Sequence, residues 1–288
     1  MSEKKSVQDE RAEKYCPEKI YYSDNHAEVY CYRKDTSTEL IEKILSYLKE
    51  KVPEPLQTAA DVGCGSGQST VILAPYFKQV HGLDVSPAQI KQAEATRSLP
   101  NVSYAACPAE ELPFSEGSVQ LITAATSLHW FKVDLFLADV RRVLSNNGVL
   151  AVYGYMSMKP DFGDLEVEAQ LGQLYDEYFE KLEPYHVSTS IQMMKNKYKD
   201  VNFPFEEVVR CPDVRCRFEG RLVDIVNYVS TFSGFQKFKL TDNKSAEECI
   251  GAFRKRLYEI GSSFKRSPED TIVLYRDYQL ILCRKTNA

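Results

Sequence analysis

Residues 60–70 read ADVGCGSGQST, and the spacing of the glycines decides how the chain around them folds. Gly63, Gly65 and Gly67 follow an apolar run ending in Asp61-Val62, so a strand ends in a turn whose backbone can take positive φ and approach a ligand closely. A dinucleotide turn spells G-x-G-x-x-G, and here Gln68 holds the position of its third glycine. A phosphate-binding P-loop also needs Gly-Lys-Ser/Thr, which does not follow. What remains is D-x-G-x-G-x-G, a turn with no evident phosphate to cradle. The bland reading is a glycine turn that merely packs a strand on a helix.

Outward from this turn, apolar runs and helical patterns alternate. Strands are expected at Thr58 to Val62, Gln79 to Leu83, Val102 to Ala105, Val119 to Ala125 and Gly148 to Tyr155. Helices are expected at Gln68 to Phe77, Pro87 to Arg97 and Val133 to Leu144. Such alternation implies right-handed crossovers and a parallel sheet. The expected fold is therefore α/β, doubly wound around a mostly parallel seven-stranded sheet. Upstream, Leu40, Ile41, Ile44, Leu45 and Leu48 recur at helical spacing between Thr36 and Val52, and Pro53 and Pro55 end that helix. Downstream of Tyr155, residues 165–182 and 186–201 read as helices with no strand between them. Further helices are expected at Leu222 to Phe232 and Ala246 to Ile260. The stretches EEVVRCPDVRCRF and TIVLYRDYQLILCRK add a strand pair, the last as an antiparallel edge strand. The expected organisation is an N-terminal helical segment (1–56) covering the site, a cofactor-binding core (57–158), and a helical cap with the final strands (159–288), all in one integrated domain. The cap would lie over the carboxyl ends of the strands, where open α/β sheets bind ligands.

The 288 residues carry a formal net charge of −5, which argues against a phosphate-backbone partner. No apolar run approaches the roughly 18 residues of a spanning helix, and the first residues lack the apolar stretch of a secretory signal. A cytoplasmic protein with no nucleic-acid or membrane partner, monomeric or weakly dimeric, is expected. The eight cysteines are scattered without a CxxC pair and the four histidines show no ligand spacing with them, so reduced thiols and no metal are expected.

The spelling DVGCGSG resembles the first motif of class I S-adenosylmethionine-dependent methyltransferases, and companion stretches follow in the family's order: HGLDVS, CPAEELPF, VQLITAATSLHWF and DVRRVLSNNGVLAVYGY. Together they cover residues 57–155. The resemblance implies the Rossmann-like methyltransferase fold, S-adenosyl-L-methionine as cofactor and S-adenosyl-L-homocysteine as product. It implies that Asp61 lies near the methionine ammonium beside the Gly63, Gly65 and Gly67 backbone. Asp84 would accept the ribose hydroxyls, although a carboxylate there serves any adenosine ribose. Ala109 and Glu110 would lie beside the adenine, with Cys64, Val85 and Thr126 also against the cofactor. Cys64 itself reads as a small space-filler.

HWF, AEVYCYRKDTSTELIEKIL and YVSTFSGFQKF are similar to the small-molecule branch related to trans-aconitate methyltransferases. The chain departs from that branch at Arg33-Lys34, where an Arg-Pro pair is usual, and at Phe232, commonly Trp. By this resemblance the acceptor is a small molecule, with a carboxylate oxygen one candidate. His129 either orients an acidic acceptor or removes a proton from a neutral one, or it is a structural histidine satisfied by a backbone carbonyl. Trp130 faces the sulfonium, walls off the acceptor or packs in the core. Tyr30, Arg33, Tyr155, Thr231 and Ser233 are candidates to position the acceptor, although most of the 18 tyrosines must be packing or surface residues. Methylation of carbon or nitrogen, a cofactor-binding protein without turnover, and a dehydrogenase stay open.

Overall fold

The structure is a computed structural model, and it describes Arg33 and residues 35–186 and 188–286. Helix α1 (Thr38–Lys49) precedes strand β1 (Thr58–Val62). Then come β2 (Gln79–Asp84), α2 (Pro87–Thr96), β3 (Val102–Ala106), β4 (Val119–Ala125), α3 (Val133–Val143) and β5 (Leu144–Gly154). Beyond these lie the two-residue β6 (Lys159–Pro160), α4 (Leu165–Leu182), α5 (Ser188–Lys195), β7 (Glu207–Gly220), α6 (Leu222–Ser230), α7 (Ser233–Thr241), α8 (Asn243–Ser263) and β8 (Ile272–Arg284).

The sheet is mixed. Strands β3, β2, β1, β4 and β5 are adjacent in that order and parallel. Strand β8 joins antiparallel to β5 along Gln279 to Arg284. It also meets β6 at Leu274 and Tyr275, and carries β7 along its other side. The sheet thus has eight strands, seven of them longer than two residues, and the final strand is internal because β7 forms the edge.

Period-two alternation sorts the two faces. Ala59, Leu121, Val149 and Ala151 are buried against α1 through Leu40, Ile41, Ile44, Leu45 and Leu48. Their neighbours Ala60, Ile122, Leu150 and Val152 are buried on the other face with Phe136, Leu137 and Val140 of α3. Each large side chain so buried contributes about 1.5–3 kcal/mol relative to exposure. A third cluster joins α4, α6 and α8 to the start of β8, which fixes the cap to the sheet. Among the described residues no helix is long and apolar enough to cross a membrane.

Three expected elements differ. Instead of a helix from Gln68 to Phe77, only a 3-10 turn forms at Val71–Leu73. Pro75 lacks the amide a helix needs, and the Thr70-Val71-Ile72 run is β-branched. The expected helix over 186–201 stops at Lys195, because Lys197 and Tyr198 take φ of +57° and +54°. The helix from Leu222 ends at Ser230: Phe232 is extended, the Thr231 hydroxyl caps the Tyr228 carbonyl, and α7, not anticipated from the sequence, begins at Ser233.

Candidate functional site

A cavity opens at the carboxyl ends of β1, β2 and β4 and is roofed by the cap. One end is built by the parallel strands. Asp84 ends β2, and its carboxylate accepts the Gly65 amide at 2.8 Å and the Ser86 amide at 2.9 Å. Burial raises its pKa, opposed by these two amides. Two donors leave each carboxylate oxygen with further acceptor capacity. Gln89, in the first turn of α2, lines the same end, and its Oε1 is buried without a partner. A buried carboxylate with spare lone pairs and an orphaned amide oxygen make an acceptor set suited to hydroxyl and amino donors.

Val85, Ala109 and Glu110 line this end as well. Glu110 is fixed by accepting the Lys132 amide at 2.7 Å. Thr126, at the tip of β4, lines the wall with φ of +52°, a conformation rare for a β-branched residue. Such strain concentrates where ligands bind.

Gly63 and Gly65 form the floor, but two other members of the turn lie beneath it. Asp61 is fully buried, its carboxylate accepting the Thr70 and Thr123 hydroxyls, each at 2.7 Å. Desolvation lifts its pKa from 3.8 to about 6. Both of its oxygens are thus engaged by hydroxyls, and it does not reach the cavity wall. Cys64 is buried under the turn, where desolvation raises its thiol pKa, as befits a space-filler. Neither it nor Gly67 lines the cavity; a Cβ on Gly67 would meet the Tyr104 ring, so its smallness serves packing.

The other end is aromatic. Trp130, Phe131, Tyr155, Phe179, Tyr228 and Phe232 wall it, with Phe179 and Phe232 stacked at 5.5 Å and Tyr155 and Tyr228 at 5.5 Å. Ser233 at the start of α7 also lines it. Arg33 reaches this end from the chain before α1, donating from Nε to the Thr231 hydroxyl at 2.9 Å. Thr231 is itself fully buried and acts behind the wall by holding Arg33. Tyr30 lies outside the described residues. Among the described lining residues Arg33 is the sole Arg or Lys.

His129 lines the cavity on the turn after β4. Its carbonyl accepts the Ser190 hydroxyl at 2.8 Å, and its Nδ1 lies 3.0 Å from the Tyr198 hydroxyl. Burial, helped by Arg33, lowers its pKa to about 3. His186, which also lines the cavity, is lowered to about 4, mainly by burial. Sequence reasoning missed Gln89, His186, Ser190 and Tyr198. An isolated polar residue carries no motif, and only the packing of α5 and the left-handed turn after it against the turn after β4 brings the last two to His129.

A parallel sheet in the order β3-β2-β1-β4-β5 with an antiparallel β8, a glycine turn after β1 and an acid ending β2 make up the Rossmann-like architecture of the methyltransferase class. A family model for a methyltransferase domain matches residues 60–152. A protein of Dictyostelium discoideum named as a methyltransferase is 32% identical over 204 residues, covering 70% of this chain and 74% of its own. A Saccharomyces cerevisiae protein named as an S-adenosylmethionine-dependent methyltransferase is 29% identical over 113 residues, 38% of each chain. The solved structure of an Anaeromyxobacter dehalogenans protein named as a type II methyltransferase superposes with a TM-score of 0.69 at 26% identity, covering 88% of this chain and 99% of that one. The chain belongs to the class I S-adenosylmethionine-dependent methyltransferases.

Proposed function

We propose that this protein transfers a methyl group from S-adenosylmethionine to a carboxylate oxygen of a small acid. The observation that carries the reading is one continuous cavity with Asp84 and Gln89 at one end and Arg33 and His129 at the other. The acceptor set at the first end suits the hydroxyls and amino group of adenosine. In this reading Asp84 accepts the ribose hydroxyls, the Gly63 and Gly65 backbone lets the amino-acid tail lie close, and Ala109 and Glu110 flank the base. Val85 and Thr126 complete that wall. Asp61 acts from beneath, holding the turn through Thr70 and Thr123.

The cofactor supplies an electrophilic methyl carbon on a sulfonium, a neutral thioether being the leaving group. The protein's own task is alignment, which in well-oriented cases is worth about 7–11 kcal/mol. A carboxylate is already nucleophilic at pH 7, so the site needs a cation and hydrogen-bond donors more than a base. Arg33 meets the first need, its planar fork matching a carboxylate. Trp130, Tyr155 and Ser233 shape the acceptor end, and its aromatic surface excludes water around the reacting atoms.

Calorimetry with S-adenosylhomocysteine, followed by a screen of radiolabelled methyl transfer over mono- and dicarboxylic acids, tests the proposal. Saturable binding and label recovered as a base-labile ester are expected. Label appearing on amines or phenols, with no acid methylated, refutes the carboxylate acceptor.

A further inference from the structure

The role of His129 turns on a residue with no sequence motif. Tyr198 is fully buried, and its hydroxyl has one recorded partner among the described residues, the His129 Nδ1 at 3.0 Å. Its backbone is held in the left-handed region at φ of +54°, next to Lys197 at +57°, a conformation costly for an aromatic residue. Several contacts impose it. The Tyr198 amide donates to the Met193 carbonyl at 3.0 Å, and Arg210 on β7 donates to the Tyr198 and Val201 carbonyls, each at 3.1 Å. The Lys197 ammonium meets Asp213 at 2.7 Å. Backbone strain held in place from several directions is the pattern found where side-chain position matters to function.

A buried phenol must place its proton on an acceptor. Were Nδ1 to carry the ring proton, the Tyr198 oxygen would accept it, and the phenol proton would be sealed in with nothing to receive it. The arrangement that satisfies both groups has Tyr198 donating to an unprotonated Nδ1. In a neutral imidazole the proton then sits on Nε2. His129 lines the cavity, and Nε2 is the ring nitrogen that Tyr198 does not engage.

We propose that Tyr198 is a positioning residue that fixes the His129 tautomer, so that His129 presents an Nε2–H donor to an anionic acceptor and does not serve as a base. The inference rests on the carboxylate reading and gives it a second recognition element beside Arg33. The charged group facing the ring is Arg33, Trp130 packs beside it at 5.0 Å, and Ser190 holds its carbonyl. Burial and the nearby cation keep the ring neutral down to about pH 3, in keeping with a donor that does not change charge during turnover. The transfer balances without a proton: an oxygen lone pair of the acceptor forms the O–CH3 bond, the C–S bond breaks, and its electron pair returns to sulfur.

The test is nitrogen-15 NMR of the histidine rings in the labelled full chain, with His129→Gln assigning the His129 signals. The expected wild-type result is one tautomer, protonated on Nε2, unchanged between pH 8 and 5. Tyr198→Phe is expected to give a mixture of tautomers and, with any acid found to be methylated, a rise in its KM of about tenfold with the KM for S-adenosylmethionine unchanged. A wild-type ring protonated on Nδ1, or titrating near pH 6.5, overturns the proposal, and this result is read even if Tyr198→Phe does not fold. A pure Nε2–H tautomer persisting in folded Tyr198→Phe overturns the role of Tyr198. The radiolabel screen separates the two levels: label on amines or phenols with no acid methylated refutes the carboxylate reading and leaves the tautomer result standing.

Discussion

Tyr104 on β3 lies across the glycine turn so closely that a Cβ on Gly67 would sit 2.6 Å from its hydroxyl oxygen. The same ring also lies over Gly82 on β2, where a Cβ would be 2.5 Å from Tyr104 Cδ1. The ring is pinned by donating to the Arg97 carbonyl at 3.1 Å. Two glycines of the motif region therefore clear space for a side chain, and the turn is shaped from the sheet side as much as from the ligand side.

Gly67→Ala should cost about 1–3 kcal/mol from overpacking, with a further penalty because Gly67 holds φ at +87°. Introducing the same change into Tyr104→Ala should cost only the backbone part. A double-mutant cycle from urea unfolding measures the coupling. Additive effects would show that Tyr104 does not set the requirement for glycine.

Asp84 joins the end of β2 to the turn through the Gly65 amide. Asp84→Asn keeps the shape and one acceptor oxygen but removes the charge and the second oxygen. Charge-assisted hydrogen bonds are worth about 1.5–3 kcal/mol each, so S-adenosylhomocysteine affinity should fall by about 10–100-fold in calorimetry. NADH should show no saturable binding to either protein. Unchanged affinity for the homocysteine product in Asp84→Asn would remove the ribose role.

The pH dependence of stability carries two opposed signatures. Asp61 has its pKa raised from 3.8 to about 6 in the folded state, so between about pH 4 and 6 the native state binds more protons than the unfolded one. Its contribution is therefore greatest at low pH and is lost as pH rises through 6. A difference of about two units corresponds to ~3 kcal/mol. His129 and His186, lowered to about 3 and about 4, act oppositely: their contribution is present above pH 6.5 and lost as pH falls. Urea midpoints of wild type and Asp61→Asn from pH 4 to 8 should diverge across the Asp61 window, the variant gaining relative stability as pH rises. Parallel curves would mean that Asp61 does not titrate there.

The fold was legible because its signals are local and repeated. The apolar runs of β1 to β5 bound the sheet, and DVGCGSG with Asp84 marked one end of the cavity. Less legible were features that depend on what a side chain meets. Pro75 and a β-branched run turned an amphipathic pattern into a 3-10 turn. Lys197 and Tyr198 end α5 with left-handed backbone that no Gly or Asn announces. Thr231 and Ser233 are two residues apart, yet one is sealed behind the cavity wall and the other lines it, because Phe232 is extended between two helices. Tyr198 could not be picked from 18 tyrosines, since its meaning comes from a partner 69 residues earlier.

Arg33 offers the sharpest test of the acceptor's charge. Its Nε donates to the Thr231 hydroxyl, and its guanidinium carbon lies 5.8 Å from the centre of the Tyr228 ring. One edge of the fork is thereby anchored while the residue lines the cavity. Arg33→Gln removes the charge, and losing a charge-assisted pair should raise the KM for an acidic acceptor by about 10–100-fold. S-adenosylhomocysteine affinity should stay within a factor of about two, because Asp84 and Gln89 hold the opposite end of the cavity. Arg33→Lys should recover part of the loss, as a point charge without the bidentate fork. Thr231→Val should produce a smaller rise in KM by removing one of the contacts that hold Arg33 without touching its charge. Steady-state kinetics with both substrates varied measures all three, and a KM for the acceptor that is indifferent to Arg33→Gln would mean the acceptor binds as a neutral molecule.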